Sequence, residues 1–126
     1  MKRIFLAFIL LIFCFSAAIF GYFGLKKSCF ELKATLESAA DFIESKNEES
    51  AFEMLKTVSE QWEKRKLVFS VFLDHTTLDT LDSSLPSLSK IFKSGDSKLA
   101  FEEIQKSIAV LDDIVEEQKI SIANIL

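Results

Sequence analysis

The sequence predicts an all-α protein: an N-terminal transmembrane helix followed by a small antiparallel helical bundle of two helical hairpins. Three observations predict it. An uncharged run of 22 residues, Ile4–Leu25, lies near the start of the chain. From Lys26 onward, apolar residues recur at gaps of three and four, the spacing of one helix face. Three Gly and one Pro in 126 residues are too few turn formers for an all-β fold.

The apolar run spans roughly 33 Å as a helix, enough to cross a hydrocarbon core of about 30 Å. Lys2 and Arg3 precede it, Lys26 and Lys27 close it, and Tyr22 sits near its far end, where an amphipathic ring suits the interface. A cleaved signal peptide is the competing reading, because Ser16-Ala17-Ala18 is small enough for processing. Cleavage there would leave Ile-Phe-Gly-Tyr-Phe-Gly-Leu exposed to water, so an uncleaved signal-anchor over residues 1–25 is expected. A lipoprotein reading fails because Phe13 precedes Cys14, where a small residue is needed. Basic residues flank both ends and barely decide the orientation. The three-residue head favours the larger part outside the cell.

Residues 26–126 are expected to form the bundle domain. Leu32, Leu36, Ala39 and Ile43 mark the first stripe. Ala51, Leu55, Val58, Trp62, Arg65, Phe69 and Phe72 mark the second. Leu78, Leu81, Leu85, Leu88 and Phe92 mark the third. Phe101, Ile104, Ile108, Leu111, Val115, Gln118, Ile122 and Ile125 mark the fourth. Four coiled-coil-like stripes bury one another only if their helices pack side by side.

The breaks fall at cap chemistry. Asn47 is an N-cap with Glu48 and Glu49 in the first turn, where the helix dipole favours acids. Gly95 and Asp96 read as a C-terminal glycine and the next N-cap. Between Phe72 and Leu78 the stripe loses phase, which points to a break near Asp74–Thr77, with a continuous bent helix as the alternative. Pro86 either kinks the third helix or opens its second part. Ser45–Leu55 and Ser94–Ile104 match at 4 of 11 positions with an offset of 49, which is a weak internal repeat or a chance likeness.

After the span the chain has 13 basic and 19 acidic residues, a net charge of −6. That balance argues against a nucleic-acid partner, whose phosphates need a basic surface. It also argues against lying flat on anionic lipid. The two cysteines supply no disulfide framework. Cys14 lies in the span as a small apolar filler. Cys29 is expected at the membrane surface, as a free thiol.

Catalytic chemistry finds little support. His75 is the only histidine, and a general-base role beside Asp74 or Asp79 competes with a plain helix-corner histidine. No nucleophile or second base is spaced to work with it, so no enzyme is expected. The adjacent carboxylates Glu48-Glu49, Glu102-Glu103, Asp112-Asp113 and Glu116-Glu117 read as a solvated face. A di-metal bundle site would need Glu-x-x-His twice, so no metal and no cofactor is expected. Arg65 holds a stripe position between Trp62 and Phe69. It either snorkels to water or makes a buried polar or partner contact. Trp62 reads as core, with an interface anchor as the alternative.

The basic start and span (Met1-Lys2-Arg3, then Ile4–Leu25), Trp62-x-x-Arg65-Lys66, His75-x-x-Leu78-Asp79 and the tail Ser121–Leu126 together resemble a bacterial domain-of-unknown-function family, number 4363. The resemblance implies a small membrane-anchored helical protein, of the kind found in Gram-positive anaerobes, with no catalytic residue. It makes Trp62, Arg65 and His75 the positions where a ligand or partner contact is sought. The expected function is a non-enzymatic interaction module on a single span, docking on another membrane protein or on itself. The alternative is a sensing ectodomain with a small-ligand pocket near Trp62, Arg65 and His75.

Overall fold

In the computed structural model, which describes residues 1–125, the chain forms α1 (Lys2–Glu44), α2 (Glu48–Phe72), α3 (His75–Lys93) and α4 (Ser97–Ile125). No strand occurs among the described residues. The side chains of Ile122 and Ile125, and Leu126, lie outside the described residues.

The helices stand in a ring. α1 packs on α2 and α4, and α3 packs on the same two, while the diagonal pairs stay apart among the described residues. Short links make consecutive helices antiparallel, giving two hairpins, so α2 and α4 run in the same direction.

α1 is one unbroken helix of 43 residues, roughly 65 Å long. Its first half projects beyond the bundle, exposed on every side, and is long and apolar enough to cross a membrane. Its second half is a wall of the bundle. The change occurs without a break, because the 3.6-residue period carries Leu25, Cys29, Leu32 and Leu36 onto one inward stripe. Packing begins earlier still, at Gly21. A Cβ there would stand 2.6 Å from Phe72 Cζ, so the missing side chain lets the end of α2 close on α1.

Cys29 is therefore inside the bundle, 2% exposed, and is a free thiol as expected. The Arg65 stripe position is half-buried, and its neighbours Trp62 and Phe69 are both fully buried. The second and third stripes are otherwise buried as their spacing predicts, with Phe72 and Leu78 half-covered at the α2–α3 corner.

In α4 the buried column is Ala100, Ile104, Ser107, Leu111 and Ile114, while Phe101, Ile108 and Val115 flank it half-buried. The helix is thus turned slightly from the orientation its largest apolar residues predict. Small side chains at Ala100 and Ser107 let it approach the axis.

The two hairpin loops are built alike. Asn47 Oδ1 accepts the Ser50 N–H at 3.4 Å, and Asp96 Oδ1 accepts the Leu99 N–H at 3.0 Å. The residue before each cap is left-handed, Lys46 at φ 61° and Gly95 at φ 96°. The offset of 49 also relates Leu32 to Leu81, Leu36 to Leu85, Ala39 to Leu88, Ala51 to Ala100 and Leu55 to Ile104, all fully buried. The two hairpins thus place buried residues in the same register. Between them, Leu73 and Asp74 are extended, at ψ 150° and 161°. α3 passes through Pro86 unbroken.

Candidate functional site

Trp62 sits at the middle of α2, fully buried, with its ring 5.1 Å from that of Phe69. Its indole N–H donates to Asp82 Oδ1 on α3 at 2.8 Å. Lys66, one turn further along α2, reaches the same oxygen at 3.0 Å. The indole hydrogen bond, then the Lys66 contact, holds the Asp82 carboxyl below its usual value.

Arg65 turns the other way, toward α1, where Nη2 donates to Glu31 Oε2 at 2.9 Å. Both side chains keep about a third of their surface in water, so this is a partly screened pair. His75, the first residue of α3, is exposed. It stands seven residues before Asp82, roughly 10 Å along the axis from the Trp62 level. Trp62 faces α3, Arg65 faces α1 and His75 lies at the corner, so the three do not share one cavity wall. The indole N–H of Trp62 and one guanidinium N–H of Arg65 are each taken by a carboxylate within the chain.

The largest groove described, of about 690 Å³, lies elsewhere, between α1 and α4 where α1 enters the bundle. Phe23, Lys26, Lys27 and Phe30 line it from α1, and Leu111, Val115 and Glu116 from α4. Lys33 and Asp112 bridge its walls at 2.9 Å. The Asp112 hydrogen bond raises the Lys33 ammonium above its ordinary value. Cys29 forms part of the floor, and burial pushes its thiol up to about 12. A thiol so raised is a poor nucleophile at neutral pH.

Exposed large apolar side chains of the bundle concentrate at this end. Phe30 on α1, Leu67 and Val71 on α2 and Ile120 on α4 are each more than half exposed. Near the opposite end only Leu99, 40% exposed, joins them among the described residues. Gln61 Oε1 on α2 is enclosed without a hydrogen-bond partner. Among the described residues no three His, Cys, Asp or Glu side chains cluster as metal ligands would.

Residues 19–125 match the domain of unknown function DUF4363. The chain belongs to the DUF4363 family. The match begins within the apolar run and takes in all of the bundle, so the entry of α1 into the bundle is part of the family's domain. Comparison with curated proteins and with solved structures finds no match.

Sequence reasoning missed Asp82 as the acceptor for Trp62. The signal was present in outline, since a buried indole N–H needs an acceptor. Asp82 follows Leu81 on the third stripe, beside the core. The α1–α4 groove was also missed, because it depends on how two distant helices diverge.

Proposed function

We propose that this DUF4363 protein is a non-enzymatic, membrane-anchored helical interaction module, with its bundle outside the cell. The observation that carries the reading is the junction at Gly21–Leu25. An apolar helix exposed on all sides continues without a hinge into a closed four-helix bundle. A rigid junction fixes the height and orientation of the bundle above the membrane, which suits docking to neighbours held in the same plane. The apolar side chains left uncovered lie at that membrane-facing end.

The test has two parts. Alkaline carbonate washing should leave the chain in the membrane pellet. A cysteine at exposed Ser94, in the far hairpin loop, should react with an impermeant maleimide on intact cells. Cys29 cannot serve as the reporter, being buried. Release by carbonate sinks the anchor; reaction of Ser94→Cys only after lysis puts the bundle inside.

A sensing ectodomain is the second reading, and the α1–α4 groove supports it better than the Trp62, Arg65 and His75 positions do. Its volume falls in the range of small-molecule sites. Thermal stabilisation by an anionic metabolite, lost in Lys27→Ala, would favour it over docking.

A further inference from the structure

α2 and α4 each turn a face outward that nothing in the chain covers. On α2 it carries Lys64, Leu67 and Val71, with Leu67 78% and Val71 73% exposed. On α4 it carries Asp113, Glu116 and Ile120, with Ile120 59% exposed. Each α4 residue follows its α2 counterpart by 49, the offset that relates buried positions of the two hairpins. The two faces are therefore the same surface of the two hairpins, yet their chemistry differs. Lys64 on one stands where Asp113 stands on the other, and Val71 where Ile120 stands. The stem of Glu116 is long enough to cover Leu67 while its carboxylate stays in water.

The heights agree as well. Arg65 is tied to Glu31 and Asp112 to Lys33, and α2 and α4 both run antiparallel to α1, so Lys64 and Asp113 fall at the same level of α1, that of Leu32. α2 and α4 run in the same direction, so the residues that follow stay level. Lys66 and Asp112 are engaged within the bundle, whereas Lys64 and Asp113 form no ion pair among the described residues.

We propose that the outer face of α2 docks on the outer face of α4 of a second copy anchored in the same membrane. The proposal rests on the membrane-anchored reading above. Copies held by the same span stand parallel at one height, so Lys64 meets Asp113 and Val71 meets Ile120. Pairing of like faces is opposed: α2 on α2 sets Lys64 against Lys64, and α4 on α4 gathers Asp113, Glu116 and Glu117. α2 and α4 occupy diagonal corners of the ring, so one copy accepts a neighbour on each side. The contact is head-to-tail and extends as a row unless its rotation closes it. The apolar area is small, and confinement to a membrane supplies the effective concentration that a weak contact needs.

The experiment uses the full chain in native membranes, with Cys14→Ala to silence the span and Cys29 left in place. Two tagged forms are co-expressed, one with Val71→Cys and one with Ile120→Cys, and exposed to a mild oxidant. The mixed disulfide should exceed either same-face disulfide by about fivefold or more, as opposed charges sort the pairs. Lys64→Glu on the first form should remove most of that excess, and Asp113→Lys on the second should restore it. A mixed yield no more than about twice either same-face yield, the ratio that random pairing gives, overturns the proposal. So does a crosslink formed only to a different protein, or quenching by brominated lipid of fluorophores on both cysteines without any crosslink. Carbonate washing of the same membranes separates the two claims. A chain released by it refutes the anchor, and a chain retained but not crosslinked refutes the docking alone.

Discussion

The indole N–H of Trp62 and the carboxylate of Asp82 meet at 2.8 Å across the α2–α3 boundary, with the indole fully buried and the carboxylate at the rim. This bond lets the largest core side chain lie at the centre of the bundle without an orphaned donor. Asp82→Ala should therefore cost about 1–3 kcal/mol, the range for an enclosed group left unpaired. Asp82→Asn keeps an acceptor oxygen and should cost less. Trp62 is the only tryptophan, so its fluorescence follows urea unfolding of the chain in detergent directly. A wild-type midpoint in Asp82→Ala would refute the role given to this bond.

The same carboxylate sets an acid limit on stability. Its folded value lies below the ordinary 3.8, held down first by the Trp62 hydrogen bond and then by Lys66. A depressed carboxyl contributes stability that is complete above its unfolded-chain value and is lost as pH falls through the folded one. Midpoints measured downward from pH 5 should fall below about pH 4 in the wild type. Asp82→Asn should show a shallower fall. Parallel curves for the two proteins would remove Asp82 from the acid response.

The four helices and most of their buried positions were legible because large apolar residues recur at 3.6-residue spacing and caps mark the ends. Leu55, Val58, Trp62, Leu81, Leu85 and Leu88 are all fully or almost fully buried, as that pattern requires. The exact facing of α4 was not legible, since Ala100 and Ser107 are buried for being small, and a hydrophobic count gives small residues little weight. The burial of Cys29 was not legible for a related reason. Lys26 and Lys27 close the apolar run, whereas the inward stripe of α1 passes them unchanged through Leu25, Cys29 and Leu32. The partners of Trp62 and Arg65 were illegible because Asp82 and Glu31 lie 20 and 34 residues away, on other helices.

Burial of Cys29 has a direct chemical readout. The native chain should resist an alkylating reagent at this thiol at neutral pH, and reaction there should track unfolding. Phe30→Cys, one residue on but facing out, should react at once. The thiol also loads the alkaline side. Its value rises from 9.0 to about 12, chiefly through burial, so stability should decline as pH climbs from 9.0 toward about 12. Cys29→Ala should make that decline gentler, and mass spectrometry of the labelled protein checks the protection itself. Fast labelling of native Cys29 would contradict the packing of α1.

The two hairpin loops solve one turn with different residues, which makes them a matched pair for mutation. Gly95 holds φ 96° at no steric cost, whereas Lys46 holds φ 61° with a Cβ. A side chain in that region costs about 1–2 kcal/mol. Gly95→Ala should therefore destabilise by roughly 1 kcal/mol. Lys46→Gly relieves the same strain, and greater freedom of the unfolded chain offsets part of the gain, leaving up to about 1 kcal/mol of stabilisation. Opposite shifts in thermal midpoint are expected, and shifts of the same sign would refute the equivalence of the loops.

Gln61 is the one enclosed side-chain atom without a partner among the described residues, through Oε1. It lies one residue before Trp62, on the side of α2 that turns toward α1. An amide oxygen shut away from water has lost its hydration and gained nothing in return. Methionine has a similar length and no such oxygen, and replacing an unsatisfied polar group by an apolar one of the same shape is neutral to stabilising. Gln61→Met should raise stability by about 1 kcal/mol, whereas a surface glutamine changed the same way should shift it by no more than about 0.5 kcal/mol. Gln105 is exposed on α4 and supplies that control. If Gln61→Met instead loses 1 kcal/mol or more while Gln105→Met stays neutral, the amide is paired in the folded protein and the account of an orphaned oxygen is refuted.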